Sequence, residues 1–420
     1  MSRSTCLIWG LCPAAAIGLA VWIAWGPSRD TAHADPSETT VVPRPAVAQL
    51  SGTSAGRYAT LVDLEAVDVA TMPHLDLAVV GRTVAIAGVA DPGAARIARA
   101  QGFRHQWPAI YATARFTGDA VIVAFDDAAN RYRITVDGPD GAEFIVTRPG
   151  RSVLRAAGLG PGTHALRLDK ISESLSGAGD VLGIFVPAGG EALAPPESKP
   201  RQIEFIGDSD IVGYGNTSPS RDCTANEVFQ LTDTQAAFGP RVARHFDADY
   251  QLNAYSGIGL IRNLDGASPG TTMLDRYPRA LLDGSEVNSN KGWNPDVVVL
   301  ALGSNDFATD LDRGEAWSGM DELRADFVNS YVGFIRTLQS RSPGALFVLI
   351  AFKDYGRDYL DAHRMVLDAV RSEGGDGAIL AVLPKMQKTG CHWHPSLADH
   401  HMIADRIIEA INTQPDAWGH

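Results

Sequence analysis

Three short stretches of this chain carry side chains able to do covalent chemistry. The first is Ile203-Glu204-Phe205-Ile206-Gly207-Asp208-Ser209, a short strand that a glycine breaks just before a serine. The second is Gly303-Ser304-Asn305-Asp306, directly after the apolar run Asp296–Leu302. The third is Cys391-His392-Trp393-His394-Pro395, near the C-terminus. In that order they offer a nucleophile, an amide donor and a base, the set that acyl transfer requires.

A serine hydroxyl is a weak nucleophile near neutral pH and needs a base to take its proton. It also needs donors aimed at the oxyanion formed when an ester carbonyl is attacked, each worth about 2.7–4 kcal/mol of barrier. Ser209 at a strand end has its own N–H to give. Gly257, in Ser256-Gly257-Ile258-Gly259, allows close backbone approach, and Asn305 can add a side-chain amide, although taken alone it reads better as a loop cap. His394 is the candidate base, placed on a loop by Pro395 and the helix that follows. His392 two residues earlier suggests a His-x-His metal pair, but no carboxylate or thiolate cluster accompanies it, so neither metal nor cofactor is expected. His400 and His401 are expected on the surface of the closing helix.

These residues need a scaffold that carries strand ends to one place. From Arg201 onward the chain alternates strand and helix: buried runs at Ile203–Ile206, Tyr250–Asn253, Asp296–Leu302, Leu346–Ile350 and Ala378–Leu383. Between them lie helical spacings over Ala236–Phe246, Leu323–Leu338 and Tyr359–Ser372, and Leu397–Ile411 closes the chain. That alternation predicts a three-layer α/β/α domain over 195–413, flavodoxin-like with a parallel sheet and chemistry outside the carboxyl ends of its strands, followed by a tail over 414–420. Residues 59–194 have a different rhythm. Short strand-like runs such as Tyr111–Phe116, Val121–Phe125, Tyr132–Val136, Glu143–Val146, His164–Leu168 and Val181–Val186 are punctuated by Gly/Asp/Asn/Pro turns, which predicts an all-β jelly-roll sandwich. Arg133 and Arg167 fall where alternation points side chains to water. The sandwich suits either a sugar-binding module or a packing partner that walls a cleft. Gly189–Pro200, rich in proline, reads as a semi-rigid spacer.

With 420 residues, 45% hydrophobic, the chain has room for two domains, and a net charge of −13 with no strong basic run argues against a nucleic-acid partner. Residues 1–34 have the form of a signal peptide: Arg3, an apolar run from Cys6 to Trp25, then Ala32-His33-Ala34 as a cleavage site. The run is also long enough to be retained as an anchor. Cleavage before Asp35 predicts an exported protein, periplasmic or extracellular and without stable membrane association, whose residues 35–58 form a flexible linker. Of the four cysteines only Cys223 and Cys391 then remain, a disulfide candidate in an oxidising compartment, two free thiols being the alternative.

Taken together, Gly207-Asp208-Ser209, Gly257, Gly303-Ser304-Asn305-Asp306 and His394-Pro395 resemble the four blocks of the SGNH (GDSL-type) hydrolases. With a sandwich before the serine strand and Gly213-Tyr214-Gly215-Asn216 soon after it, the chain resembles carbohydrate esterase family 2, bacterial two-domain enzymes of acetyl xylan esterase type. The resemblance implies Ser209 as nucleophile, His394 as base, and Ser209, Gly257 and Asn305 as the oxyanion hole. It implies Trp393 as an aromatic that packs on the sugar. Trp293 is a second substrate-binding candidate, with core packing as its alternative role. One departure stands out: Cys391 occupies the position, three before the histidine, where an aspartate is usual, and His392 stands where relatives place a carboxylate two before it. A backbone carbonyl could orient the imidazole instead, leaving a Ser-His dyad. The expected function is a secreted serine esterase that removes O-acetyl groups from acetylated xylo- or gluco-oligosaccharides. The alternatives are an esterase on another acylated envelope or exopolysaccharide, and a non-catalytic carbohydrate-binding protein.

Overall fold

A computed structural model describes residues 57–86, 102–289, 292–372, 374 and 377–419, with the backbone of Gln49–Leu50. The expected signal segment 1–34 lies outside the described residues, as does most of the expected linker 35–58. Within that linker, Gln49–Leu50 pairs antiparallel with Ile145 and Phe144, and Tyr58 already begins a strand, Tyr58–Asp63.

The N-terminal half is a sandwich of two antiparallel sheets. One sheet has the order Gln49–Leu50, Ala142–Thr147, Arg131–Val136, Thr163–Lys170, Tyr111–Thr117, Glu191–Leu193, with Ala78–Val80 also paired to Tyr111–Thr117. The other runs Tyr58–Asp63, Gly150–Ala157, Ala120–Asp127, Gly179–Phe185, Phe103–His105, Thr83–Ala85. Alternation sends Phe116, Ile134, Phe144 and Leu168 of the first sheet against Val123, Phe125, Leu154 and Ile184 of the second. Glu191–Leu193 lies inside the stretch read as spacer, which is therefore partly strand.

The C-terminal half is built on a parallel sheet of five strands: β1 Arg201–Gly207, β2 Ala248–Ala254, β3 Val297–Ala301, β4 Leu346–Phe352 and β5 Ala378–Leu383, in the order β2-β1-β3-β4-β5. Its strands are apolar on both faces because helices cover both. Val297, Val299, Val348 and Ile350 meet α2 (Phe238–His245) and α5 (Leu397–Asn412). Val298, Leu300, Phe347 and Leu349 meet α3 (Met320–Arg341) and α4 (Gly356–Ser372). This is the predicted three-layer arrangement. The expected tail is tied down in part: Ala417 is buried, and Trp418 packs on Phe246 with the Arg201 guanidinium 4.8 Å above its ring.

The two halves share their packing. Leu282, from the C-terminal half, belongs to the sandwich core beside Trp107 and Ile110. Arg133 and Arg167 leave the sandwich surface as alternation requires, yet they meet protein rather than bulk water. Arg133 Nη2 lies 2.5 Å from Asp233 Oδ2, and Arg167 Nη2 donates to Tyr250 Oη at 2.9 Å. Alternation along a strand reports which face a residue takes, not what covers that face. Deeper still, Arg82 from the sandwich half pairs with Glu204 of β1 at 3.2 Å, both side chains almost wholly buried. The same carboxylate accepts from Asn253 Nδ2 at 2.5 Å and Tyr277 Oη at 2.8 Å, which satisfies the charge that burial would otherwise make costly.

Candidate active site

Gly207 lets β1 end hard against β3, since a Cβ there would stand 2.3 Å from the Ala301 carbonyl oxygen. Asp208 then caps a single helical turn, α1 (Ser209–Val212), its carboxylate accepting from the Asp210 N–H at 3.0 Å and from the Ser304 hydroxyl. Burial raises the Asp208 carboxyl above its ordinary range, and the neighbouring Asp210 charge adds to this. Ser209 occupies the first position of the turn, nearly buried, with an N–H that no intrahelical carbonyl can take.

His394 reaches it from the other end of the sequence. Its Nε2 lies 2.9 Å from Ser209 Oγ, and its Nδ1 lies 2.9 Å from the Cys391 carbonyl oxygen. A carbonyl can only accept, so the ring proton sits on Nδ1 and Nε2 presents its lone pair to the serine hydroxyl. Burial lowers the His394 pKa from its ordinary value. The Asp210 charge and the Cys391 carbonyl act against that shift, while Lys388 and His392 add to it. The ring is thus neutral, and a competent base, at neutral pH. Tyr214 packs on its face, with ring centroids 4.3 Å apart.

The loop that carries the base is held in a strained form. His392 and Trp393 both have positive φ, 50° and 63°, a region that costs L-residues roughly 1–2 kcal/mol each. The surroundings fix it: Cys391 is disulfide-bonded to Cys223, the His392 N–H donates to the Arg221 carbonyl at 2.7 Å, and His392 Nε2 lies 2.8 Å from the Cys223 carbonyl. His392 Nδ1 is 3.0 Å from Tyr214 Oη, so both its nitrogens have protein partners. The geometry turns Trp393 outward, 63% exposed, with the Arg221 guanidinium 3.7 Å from its ring centroid.

Two further donor positions lie on loops after β2 and β3. Gly257 has φ +82°, the left-handed region that favours glycine. Its carbonyl accepts from the Leu264 N–H at 3.0 Å. Asn305 Nδ2 donates to the Ile258 carbonyl at 2.7 Å and lies 3.5 Å from Asp208 Oδ2, so its side chain ties the β3 loop both to the Gly257 loop and to the serine turn. Asp306 holds the same loop through the N–H groups of Leu260, Ile261 and Arg262, all within 2.9 Å.

Trp293 is the residue the structure does not bring in. It precedes β3, and its neighbour Asn294 donates to Gln202 near the start of β1. That puts it, half-buried, at the end of the sheet opposite Ser209. His400 also needs correction: it is fully buried, packs against Phe238 and accepts from the Phe238 N–H at 3.3 Å. What the sequence did not suggest is the chain from Asp210 to Tyr355 Oη (2.6 Å) and on to Lys388 Nζ (2.8 Å), which joins α1 to two segments 145 and then a further 33 residues on. Tyr214 had a visible signal, an aromatic between two glycines five residues after the serine.

Known proteins resemble this chain over both of its halves. Residues 94–196 match the model for the carbohydrate esterase 2 N-terminal domain, and residues 203–407 match that for GDSL-like lipase/acylhydrolases. An acetylxylan esterase / glucomannan deacetylase of Cellvibrio japonicus is 39% identical over 316 residues, 75% of this chain and 87% of the relative. A solved carbohydrate esterase, whose active site is described as having divergent catalytic and non-catalytic binding functions, superposes with a TM-score of 0.75 at 36% identity, covering 82% of this chain and 99% of that one. A family two carbohydrate esterase from Clostridium thermocellum, solved in complex with cellohexaose, gives 0.68 at 26% identity, covering 81% and 100%.

Proposed function

We propose a specific reaction for this chain, which belongs to carbohydrate esterase family 2 and is a carboxylic ester hydrolase of the SGNH type: removal of O-acetyl groups from acetylated xylo- or gluco-saccharides by a Ser209–His394 dyad. The observation that carries it is the pair of 2.9 Å contacts at His394, one to the serine hydroxyl and one to the Cys391 carbonyl. They supply what an aspartate supplies elsewhere, the right tautomer and a fixed ring, without a third side chain.

In this reading His394 Nε2 takes the Ser209 proton as Oγ attacks the acetyl carbonyl carbon. The oxyanion is met by the N–H groups of Ser209 and Gly257 and by the Asn305 amide hydrogen that faces Asp208 at 3.5 Å and exchanges that long contact for the oxyanion. Collapse expels the sugar hydroxyl, which recovers its proton from His394, and leaves acetyl-Ser209. Water, deprotonated by the same imidazole, then releases acetate and restores the serine. No step calls for a metal or cofactor. Trp393, exposed beside the base and backed by Arg221, offers its face to the saccharide ring. The relatives that act on acetylxylan and glucomannan, or bind cellohexaose, support a β-linked polysaccharide as substrate.

Export to the periplasm or medium fits the same reading. The apolar leader precedes the fold, the Cys223–Cys391 disulfide suits an oxidising compartment, and among the described residues no helix is long and apolar enough to cross a membrane. The test is acetate release by the purified chain from a panel of acetylated xylan, glucomannan and bacterial exopolysaccharide. Release from the first two, lost on Ser209→Ala, is expected. Release from exopolysaccharide alone would move the substrate, and release unaffected by Ser209→Ala would reject the dyad.

A further inference from the structure

The loop that carries Gly257 follows β2, and the catalytic half does not hold it alone. The Tyr255 N–H donates to the Gly207 carbonyl at 3.2 Å, and Ala254 pairs with Gly207 in the sheet. The sandwich adds a contact on either side of Tyr255. Ser174 Oγ donates to the Ala254 carbonyl at 2.8 Å, and Ser256 Oγ donates to the Glu173 carboxylate. Ala254 and Ser256 bracket the turn into Gly257, and both partners come from one short segment, Glu173-Ser174, beyond the last long strand of the first sheet.

That segment is itself anchored. Lys170 Nζ, fully buried, donates to the carbonyls of Gln106 (2.5 Å), Trp107 (3.1 Å) and Glu173 (3.3 Å), so one ammonium pins the Glu173 backbone to two sandwich residues. From the other side, Thr234 of the catalytic half donates through Oγ1 to the Lys170 carbonyl at 2.9 Å and through its N–H to the Ile171 carbonyl at 3.1 Å. Residues 170–174 are thus gripped from both halves, and Glu173 and Ser256 are both nearly buried. A carboxyl group there, desolvated and bonded among the described residues to the Ser256 hydroxyl beside the buried Lys170, is not explained by surface solvation.

We propose that Glu173 is a positioning residue of the esterase: acting through Ser256, it sets the direction of the Gly257 N–H, so that the sandwich completes the oxyanion hole rather than merely flanking it. The inference rests on the reading of Gly257 as an oxyanion donor. An oxyanion donor is useful only within a narrow range of distance, and it acts on the transition state more than on bound substrate. Loss of the Glu173–Ser256 contact should therefore lower kcat and leave KM nearly unchanged.

The experiment uses the full chain and p-nitrophenyl acetate, with Glu173→Ala, Ser256→Ala, the double variant and Glu173→Gln. Melting curves identify the folded variants, and Ser256→Ala, which removes one oxygen, keeps the test open if Glu173→Ala does not fold. Expected is a fall in kcat of about 10- to 100-fold in either alanine variant, with KM within about twofold. The double variant should be no worse than the singles, as for two residues acting through one contact. Glu173→Gln, whose carbonyl still accepts from Ser256, should recover most of the rate. Folded Ser256→Ala with unchanged kcat would overturn the proposal, as would a rise in KM with kcat intact. Asn305→Ala separates the two levels: if it lowers kcat while Ser256→Ala does not, the oxyanion hole stands and only the role of Glu173 falls. If Asn305→Ala and Ser256→Ala both leave kcat unchanged, the oxyanion reading fails and the proposal fails with it.

Discussion

The Nδ1 of His394 faces the backbone carbonyl of Cys391 at 2.9 Å, where a related triad would place a carboxylate. A carbonyl fixes the tautomer but carries no charge to stabilise an imidazolium, so the electrostatic part must come from elsewhere. The strongest charge acting in that direction belongs to Asp210, the residue after Ser209, held by Tyr355.

With burial lowering the His394 pKa, the acidic limb of kcat/KM should lie below the ordinary histidine value near 6.5. Asp210 raises that pKa, so removing its charge should lower it further. A pH–rate profile of Asp210→Asn should show the acidic limb moved to lower pH; movement to higher pH would mean the carboxylate does not act on this ring.

Replacing Ser209 or His394 by Ala should reduce kcat by roughly 10⁴-fold or more, and the double variant should be little worse than either single one. Turnover of an aryl acetate by stopped assay settles this.

Trp393 stands outside the reacting atoms. Trp393→Ala should raise KM for acetylated oligosaccharides about tenfold, a loss near 1.4 kcal/mol, while leaving p-nitrophenyl acetate turnover close to wild type. Equal losses on both substrates would place the indole in the chemistry instead.

The bond between Cys223 and Cys391 closes a loop across 168 positions. Cys223→Ser/Cys391→Ser should lose on the order of 2–5 kcal/mol of stability and also lose kcat, since the His392–Trp393 backbone would be free to leave its left-handed conformation. Thermal melting and initial rates measured on the same sample separate the two effects, and a thiol titration of denatured, unreduced wild type should find neither cysteine free.

Arg82→Ala should destabilise the protein by about 3–5 kcal/mol, because it leaves Glu204 charged, buried and short of its cation. Urea unfolding measures this; a loss below about 1 kcal/mol would show that Asn253 and Tyr277 suffice.

Much of the site could be read from the sequence because a parallel sheet brings together whatever follows its strands. Ser209, Gly257 and Asn305 each come just after an apolar run, and His394 precedes the closing helix. Trp293 misleads for the same reason, since it precedes its strand and therefore sits at the far end of the sheet. Strands with clean alternation were equally legible, whereas Gly150–Ala157, with arginines at 151 and 155 and a run of alanines, gave no period-two signal. Contacts such as Arg82–Glu204, Glu173–Ser256 and Asp210–Tyr355 link residues 83 to 145 positions apart. No local pattern encodes them, because the first two depend on which surfaces the two halves turn toward each other and the third on how distant segments of the catalytic half meet.

Leu282 sits inside the sandwich core although its own chain segment belongs to the catalytic half. A gene cut near residue 195 would therefore give fragments that each miss part of an interior, one left with a hole and the other with a bare Leu282 and a Glu204 without its cation. Modular trading of such a catalytic unit between enzymes would have to carry both halves together, as a single inheritable piece.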